Sequence, residues 1–140
     1  MKTLLASFAI LISIFVTPVY AASVEARIDL SEQKMRVYRN GRLQYTWKVS
    51  TARRGYSTPI GSYKPTRMHE MWYSRKYNMS PMPHSIFFRG GYAVHGTNHI
   101  KNLGRPASHG CIRLHPDNAR RLFRLVQNVG ARNASIKINR

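Results

Sequence analysis

From Val24 onward, apolar and polar positions alternate. Ala26, Ile28 and Leu30 fall on one face, and Arg27 and Asp29 on the other, as a half-buried strand requires. Ser31, Glu32 and Gln33 then read as a turn. Met35, Val37 and Tyr38 form a second short strand. Asn40-Gly41 follows, and because both residues tolerate positive φ the pair predicts a tight hairpin. Leu43, Tyr45, Trp47 and Val49 recur with period two, which predicts a third strand over 42–50 with one buried face. The opening is therefore a β-meander.

Punctuation changes after that. Residues 52–61 carry Gly55, Thr58-Pro59 and Gly61, and predict a loop before a short strand near Tyr63. Residues 68–83 show no period. They hold Met68, Met71, Met79 and Met82 among aromatic residues and prolines, and predict a long loop packed on, or hanging over, a site. Ordinary edge packing is the plain alternative. Ile86 to Phe88 and Tyr92 to His95 flank Arg89-Gly90-Gly91, a second hairpin. Residues 98–107 predict a loop. Pro116 can begin a helix, Ala119, Leu122, Phe123, Val126 and Val129 follow at helical spacing, and Gly130 can close it. A last short strand covers 134–138. The fold class is mostly β, a sandwich or barrel-like sheet with one helix in the C-terminal half.

The first residues have a different pattern. Lys2 precedes a nearly unbroken apolar run over 4–16, and the small residues Val19 and Ala21 follow. This predicts a signal peptide over 1–21, cleaved after Ala21, and a single domain over 22–140 exported to the periplasm or cell wall. The run is short for a membrane span of about 20 residues, so no stable span is expected after cleavage. An uncleaved N-terminal anchor is the alternative. No cysteine lies near the cleavage position, which excludes a lipid anchor there.

Charge narrows the partners. Lys and Arg number 23 against 5 Asp and Glu, a formal net charge of +18. Such a surplus attracts polyanions. Nucleic acid is the usual partner of so basic a chain, but export argues against it and leaves anionic cell-wall polymers, anionic lipid head groups and acidic peptide stems. Added solubility is the bland reading of the same charge.

The chemistry centres on Cys111, the only cysteine. An unpaired cysteine in an exported chain is either a partner-seeking thiol or a reactive one. A free thiol titrates near ~8.5 and needs a base or a positive field to become a good nucleophile. His109 stands two residues away, and His95 ends an apolar strand-like run and can arrive through the fold. Gly110 permits close backbone approach, which suits an oxyanion pocket of N–H groups. Arg113 can lower the thiol pKa or bind a substrate carboxylate. A small buried hydrophobe is the plain reading of a lone cysteine, and the flanking His, Gly and Arg argue against it. His69, His84, His99 and His115 read as surface or loop residues. A zinc site from His95, His99, His109 and Cys111 is disfavoured, because Gly96 marks a strand exit rather than a helix that would align His95 with His99. No metal or other cofactor is expected.

These residues resemble the L,D-transpeptidase catalytic domain, or YkuD-type, family. The resemblance rests on Tyr92-Ala93-Val94-His95-Gly96-Thr97, on Leu103-Gly104-Arg105-Pro106-Ala107, and on Ser108-His109-Gly110-Cys111-Ile112-Arg113-Leu114. Thr58-Pro59-Ile60-Gly61 is similar to the family's Thr-Pro-x-Gly turn, and Met82-Pro83-His84 with Phe87-Phe88 looks like the approach to its histidine strand. The likeness runs from about Val24 to Ile138.

The resemblance implies a cysteine that attacks a peptidoglycan tetrapeptide stem after its third residue, releases terminal D-alanine and forms a thioester. An amine acceptor then gives a 3→3 cross-link or an attached protein. Carried over by position, Cys111 is the nucleophile and His95 the proton donor and acceptor. Ser108, His109 and Gly110 are the supporting shell, and the Gly96 carbonyl fixes the imidazole tautomer. Arg113 stands where some members have asparagine, which bears on subgroup. No wall-binding module is read in the sequence, and the positive charge is expected to supply that attachment. A monomer is expected.

Rival readings are an L,D-carboxypeptidase using water at the same site, a basic non-catalytic wall-binding module, and an exported toxin acting on a competitor's wall. Sortases set their cysteine in a Thr-Leu-x-Thr-Cys context absent here. Papain-like enzymes place Cys before His, the reverse of this chain.

Overall fold

The computed structural model describes residues 13–18 and 20–140. Most of the predicted signal peptide lies outside the described residues. Nine strands and one α-helix follow from Val24 onward. The meander is β1 (Val24–Asp29), β2 (Lys34–Arg39) and β3 (Arg42–Lys48). Asn40 and Gly41 both adopt positive φ, +50° and +77°, as the hairpin signal required. Next come β4 (Gly61–Tyr63), β5 (Arg67–Ser74), β6 (Ser80–Arg89), β7 (Tyr92–Gly96) and β8 (Ile112–Leu114). Helix α1 (Pro116–Val129) and β9 (Ala134–Asn139) complete the chain.

The strands make two sheets. One runs β3-β2-β1-β9-β4, the other β5-β6-β7-β8. β9 returns parallel to β1, and β8 lies parallel to β7. The chain just beyond β3 joins the sheets, because Ser50 bridges Arg113.

The core lies between the sheets. Ile28, Met35, Val37 and Ile136 of the first sheet meet Ile86, Val94, Ile112 and Leu114 of the second. Helix α1 packs on β6 and β7 and buries Ala119, Leu122, Phe123 and Val126. Its start is built locally. Pro116 stands in the first turn, and the His115 ring accepts the Asp117 N–H at 3.2 Å. Gly96 admits this packing, since a Cβ there would lie 3.0 Å from Pro83 Cγ and 3.2 Å from the Pro116 Cα. With one face of the β5–β8 sheet on the core, its other face is left open to form a site.

Two expectations change. Residues 68–83 are not a loop: they form β5, a 3₁₀ turn at Arg75–Tyr77 and the first part of β6. The alternation is hidden because His84 has φ +50°, so the sides presented on either part of β6 slip by one residue. Pro81 and Pro83 are tolerated because that half of β6 pairs with β5 alone, opposite Tyr73 and Met71, while β7 pairs only from Ile86 onward. Second, the third strand ends at Lys48 and its buried face is shorter than expected. Leu43 is exposed, and of the four apolar positions only Trp47 and Val49 are buried.

Candidate active site

The parallel pairing of β7 with β8 assembles the site. Val94 faces Ile112 and His95 faces Arg113, so Cys111, one residue before β8, stands level with Ala93. Side chains alternate along strands, so Ala93, His95, Cys111 and Arg113 share one face. That is the open face of the β5–β8 sheet. His95, His109, Cys111 and Arg113 line one cavity of about 740 Å³ there, with Ser108 also in its wall.

His95 is only 6% exposed. Its Nδ1 lies 2.7 Å from the Gly96 carbonyl oxygen. A carbonyl only accepts, so the proton sits on Nδ1 and Nε2 is left as the basic nitrogen. Burial lowers the imidazole pKa to about 4, aided by the Arg113 charge and opposed by the Gly96 hydrogen bond. Cys111 is half-buried, and its Sγ approaches the Gly91 carbonyl oxygen at 3.7 Å. Burial pushes its thiol pKa up, while the Ala93 N–H and the Arg113 guanidinium pull it down. The resting pair is therefore neutral thiol and neutral imidazole rather than an ion pair.

The turn before Cys111 is held from several sides. Ser108 is fully buried, accepts the Gly110 N–H at 3.0 Å and donates to the Cys111 carbonyl at 2.7 Å. Thr58 donates to the Gly110 carbonyl at 2.9 Å. The Gly110 N–H is thus occupied by Ser108, which takes it out of the set of free oxyanion donors. Gly110 has φ +131°, and a Cβ there would lie 2.6 Å from Tyr92 Cε1 and 2.9 Å from the Ser57 carbonyl oxygen. Behind the turn, the Ala107 and Ser108 N–H groups both donate to the Thr51 carbonyl. Thr51 is fixed in turn by the buried Gln33 amide, which accepts the Thr51 N–H at 2.9 Å and donates to its hydroxyl.

His109 is placed at the mouth. Its ring stacks on Tyr77 and meets Tyr56 edge-on. Burial and the nearby Arg53, Arg113 and Lys76 charges lower its pKa. Arg113 is half-buried, with Nη1 3.4 Å from the Ala107 carbonyl, and its backbone is fixed to Ser50. His99 lies in the loop after β7, as its sequence context predicted, and lines the cavity as well. His69 and His84 are strand residues instead. His69 packs against Trp72 and Phe87, and His84 against Phe123 of α1. Among the described residues, no three His, Cys, Asp or Glu side chains converge as a metal site would require.

Tyr56, Tyr77 and Tyr92 are site residues that the sequence did not single out. So are Arg67, which lies over the Phe87 ring at the far end of the cavity, and Trp72, which meets that ring edge-on. The aromatic density of 68–83 was the signal for Trp72 and Tyr77, and Tyr92 opened the motif that carries His95, while nothing local marked Tyr56 or Arg67. The cavity wall holds Arg67, Arg75, Lys76 and Arg113 and no Asp or Glu. The described ion pairs lie elsewhere and take up none of these four cations.

Residues 23–135 match the family of L,D-transpeptidase catalytic domains. A Bacillus subtilis protein named as an L,D-transpeptidase, YqjB, is 30% identical over 118 residues, which span 75% of this chain and 66% of that protein. YkuD of Bacillus licheniformis, also named as an L,D-transpeptidase, is 26% identical over 108 residues, 72% of this chain and 59% of that one. The matches thus span about three fifths to two thirds of these relatives. In three dimensions, L,D-transpeptidase 3 of Mycobacterium tuberculosis, solved with a faropenem-derived adduct, superposes with a TM-score of 0.72 over 85% of this chain and 61% of that one. At 18% identity that likeness is one of fold.

Proposed function

The chain belongs to the L,D-transpeptidase catalytic-domain family, and from that premise we propose that it is an exported cysteine enzyme acting on peptidoglycan stem peptides. The observation that carries this reading is the shared face of β7 and β8. It sets Cys111 and His95 in one cavity, with the His95 proton committed to the Gly96 carbonyl and Nε2 left to act as base.

In this reading the Cys111 sulfur attacks the carbonyl of the third residue of a tetrapeptide stem. Its proton passes to His95 Nε2 as the C–S bond forms, because neither partner is ionised beforehand. Collapse of the tetrahedral adduct breaks the peptide bond, and His95 returns the proton to the departing D-alanine amine. A thioester remains on Cys111. An acceptor amine then attacks the thioester, gives its proton to His95, and leaves as a new amide while the thiol is regenerated. Water in place of the amine gives the carboxypeptidase outcome. Ser108, Thr58 and Gly110 hold the turn that presents the thiol, and Arg113 attracts the terminal carboxylate. Export is part of the proposal, supported by the leader pattern over 1–21. Binding to anionic wall polymers is supported by the unpaired cations around the cavity.

The test is to incubate the mature protein with a disaccharide-tetrapeptide and follow both products and intact protein mass. The expected result is a mass gain confined to Cys111 and a dimeric 3→3 product. Tripeptide without dimer makes the enzyme a carboxypeptidase. Folded protein giving neither adduct nor product, with Cys111→Ala indistinguishable from wild type, overturns the enzyme reading in favour of a wall-binding module.

A further inference from the structure

One register row crosses the open sheet from edge to edge. Arg67 of β5 faces Phe87 of β6, Phe87 faces Ala93 of β7, and Ala93 is level with Cys111. Phe87, Ala93, Met82, Trp72 and Cys111 are packed in one cluster on that face. The Arg67 guanidinium carbon sits 3.7 Å from the Phe87 ring centroid and 4.8 Å from that of Trp72. Contact with two rings set at 79° to each other holds the guanidinium in place, and none of its N–H groups is taken by a hydrogen bond among the described residues. Arg67 lines the same cavity as the thiol and takes part in no ion pair among the described residues.

Position fixes what kind of anion it can meet. Adjacent strands are about 4.8 Å apart, so a group over Phe87 lies roughly 10 Å from the strand that carries Cys111. Extended peptide advances about 3.3 Å per residue, so this is the reach of two to three residues. The carboxylate of the departing residue lies directly beside the scissile carbonyl, too near the thiol for Arg67 and within the neighbourhood of Arg113. A carboxylate on an upstream residue of the acyl donor has the right separation.

We propose that Arg67, clamped by Phe87 and Trp72, is a specificity-determining residue that recognises a free carboxylate on the donor stem upstream of the acylated residue. The inference rests on the stem-peptide reading of the site and deepens it. The clamp spares the substrate the cost of ordering a long side chain, so the contact acts in binding rather than in the chemical step.

The experiment compares two synthetic donor stems, identical except that the second residue, joined to the third through its side-chain carboxyl, carries either a free α-carboxylate or its primary amide. Wild type is expected to favour the free acid about tenfold in kcat/KM, expressed in KM, as a charge-assisted contact implies. Arg67→Gln should raise KM for the acid about tenfold, leave kcat within about twofold, and leave the amide unchanged. Arg67→Lys, a cation without the planar fork, should recover only part of the preference. The proposal is overturned if wild type treats the two stems alike, or if Arg67→Gln weakens both equally. Direct binding of both peptides to Cys111→Ala, with and without Arg67→Gln, separates this from the parent reading. Loss of acid preference in binding supports the Arg67 site even where no stem is turned over, and equal binding refutes it.

Discussion

The Tyr77 ring lies 4.2 Å from the His109 ring, parallel to within 9°. Tyr77 belongs to the 3₁₀ turn linking β5 to β6, and His109 stands two residues before Cys111. Tyr56 also meets the His109 ring, edge-on at 4.7 Å. The tip of the β5–β6 hairpin is thereby fastened to the loop that carries the thiol.

Replacing Tyr77 by alanine removes that fastening. Aromatic pairs contribute about 0.5–1.5 kcal/mol beyond the area they bury, so the local loss is about 1 kcal/mol. We expect Tyr77→Ala to speed amide exchange across 74–80 and to raise KM several-fold, while Tyr77→Phe keeps the wild-type values. Unchanged exchange in the alanine variant would show that β5–β6 pairing alone holds the tip.

The depressed pKa of His95 has two consequences of the same sign. Folded protein keeps the imidazole neutral down to about pH 4, whereas an unfolded chain protonates it below about 6.5. The unfolded state therefore binds more protons across that interval, and stability falls as pH drops from 6.5 to 4. At 1.36 kcal/mol per unit the contribution of His95 is about 3 kcal/mol, fully present above pH 6.5 and lost as pH falls through 4. Denaturant melts at pH 7 and pH 4 should show this loss in wild type and a smaller one in His95→Gln. In kinetics, the acid limb of kcat/KM should lie near pH 4. An acid limb near 6.5 would mean that the base is solvated like a surface histidine.

Gly110→Ala tests the turn itself. Alanine at φ +131° is strained, and its Cβ would collide with backbone at Ser57 and with the Tyr92 ring. A loss of roughly 2–4 kcal/mol is expected, read as a lowered denaturant midpoint. The same variant should react slowly with a soluble thiol reagent, because Cys111 follows the displaced turn. Wild-type stability would show that the turn relaxes at no cost.

How much of this was legible beforehand differs by element. The meander, the second hairpin and α1 follow from alternation, Asn40-Gly41 and the Pro116 to Gly130 frame, because each buries one regular face against the core. Strand β5 and the first half of β6 were hidden because β5 buries neither face fully and His84 breaks the alternation at positive φ. Cys111 and His95 stood out by residue type and motif. Tyr77 and Arg67 did not, since their relation to the thiol arises from pairing between strands distant in sequence. Gln33 was read as a turn residue, yet its side chain is buried and ties Thr51, and through it Ser108, to the first sheet. A polar residue in a turn carries no local sign that it is an internal brace.

The distribution of charge leads to the last prediction. Three of the five acids, Glu25, Asp29 and Glu32, lie on β1 and the turn to β2. Glu25 pairs Arg27 and Lys137, and Glu32 pairs Arg36, so cations of the first sheet are partly neutralised. Around the cavity Arg67, Arg75, Lys76 and Arg113 have no such partners among the described residues. The cavity therefore carries a local positive field that no acid in its wall offsets. Screening length shortens from about 8 Å at physiological salt to about 3 Å at 1 M, which removes attraction between exposed charges that are not in contact. Retention on purified sacculi should fall steeply between these conditions, and Arg75→Gln with Lys76→Gln should lower it at physiological salt without altering the melting temperature. Retention that ignores salt would place wall attachment in specific contacts rather than in the field, and would leave the cavity's cations to act on the substrate alone.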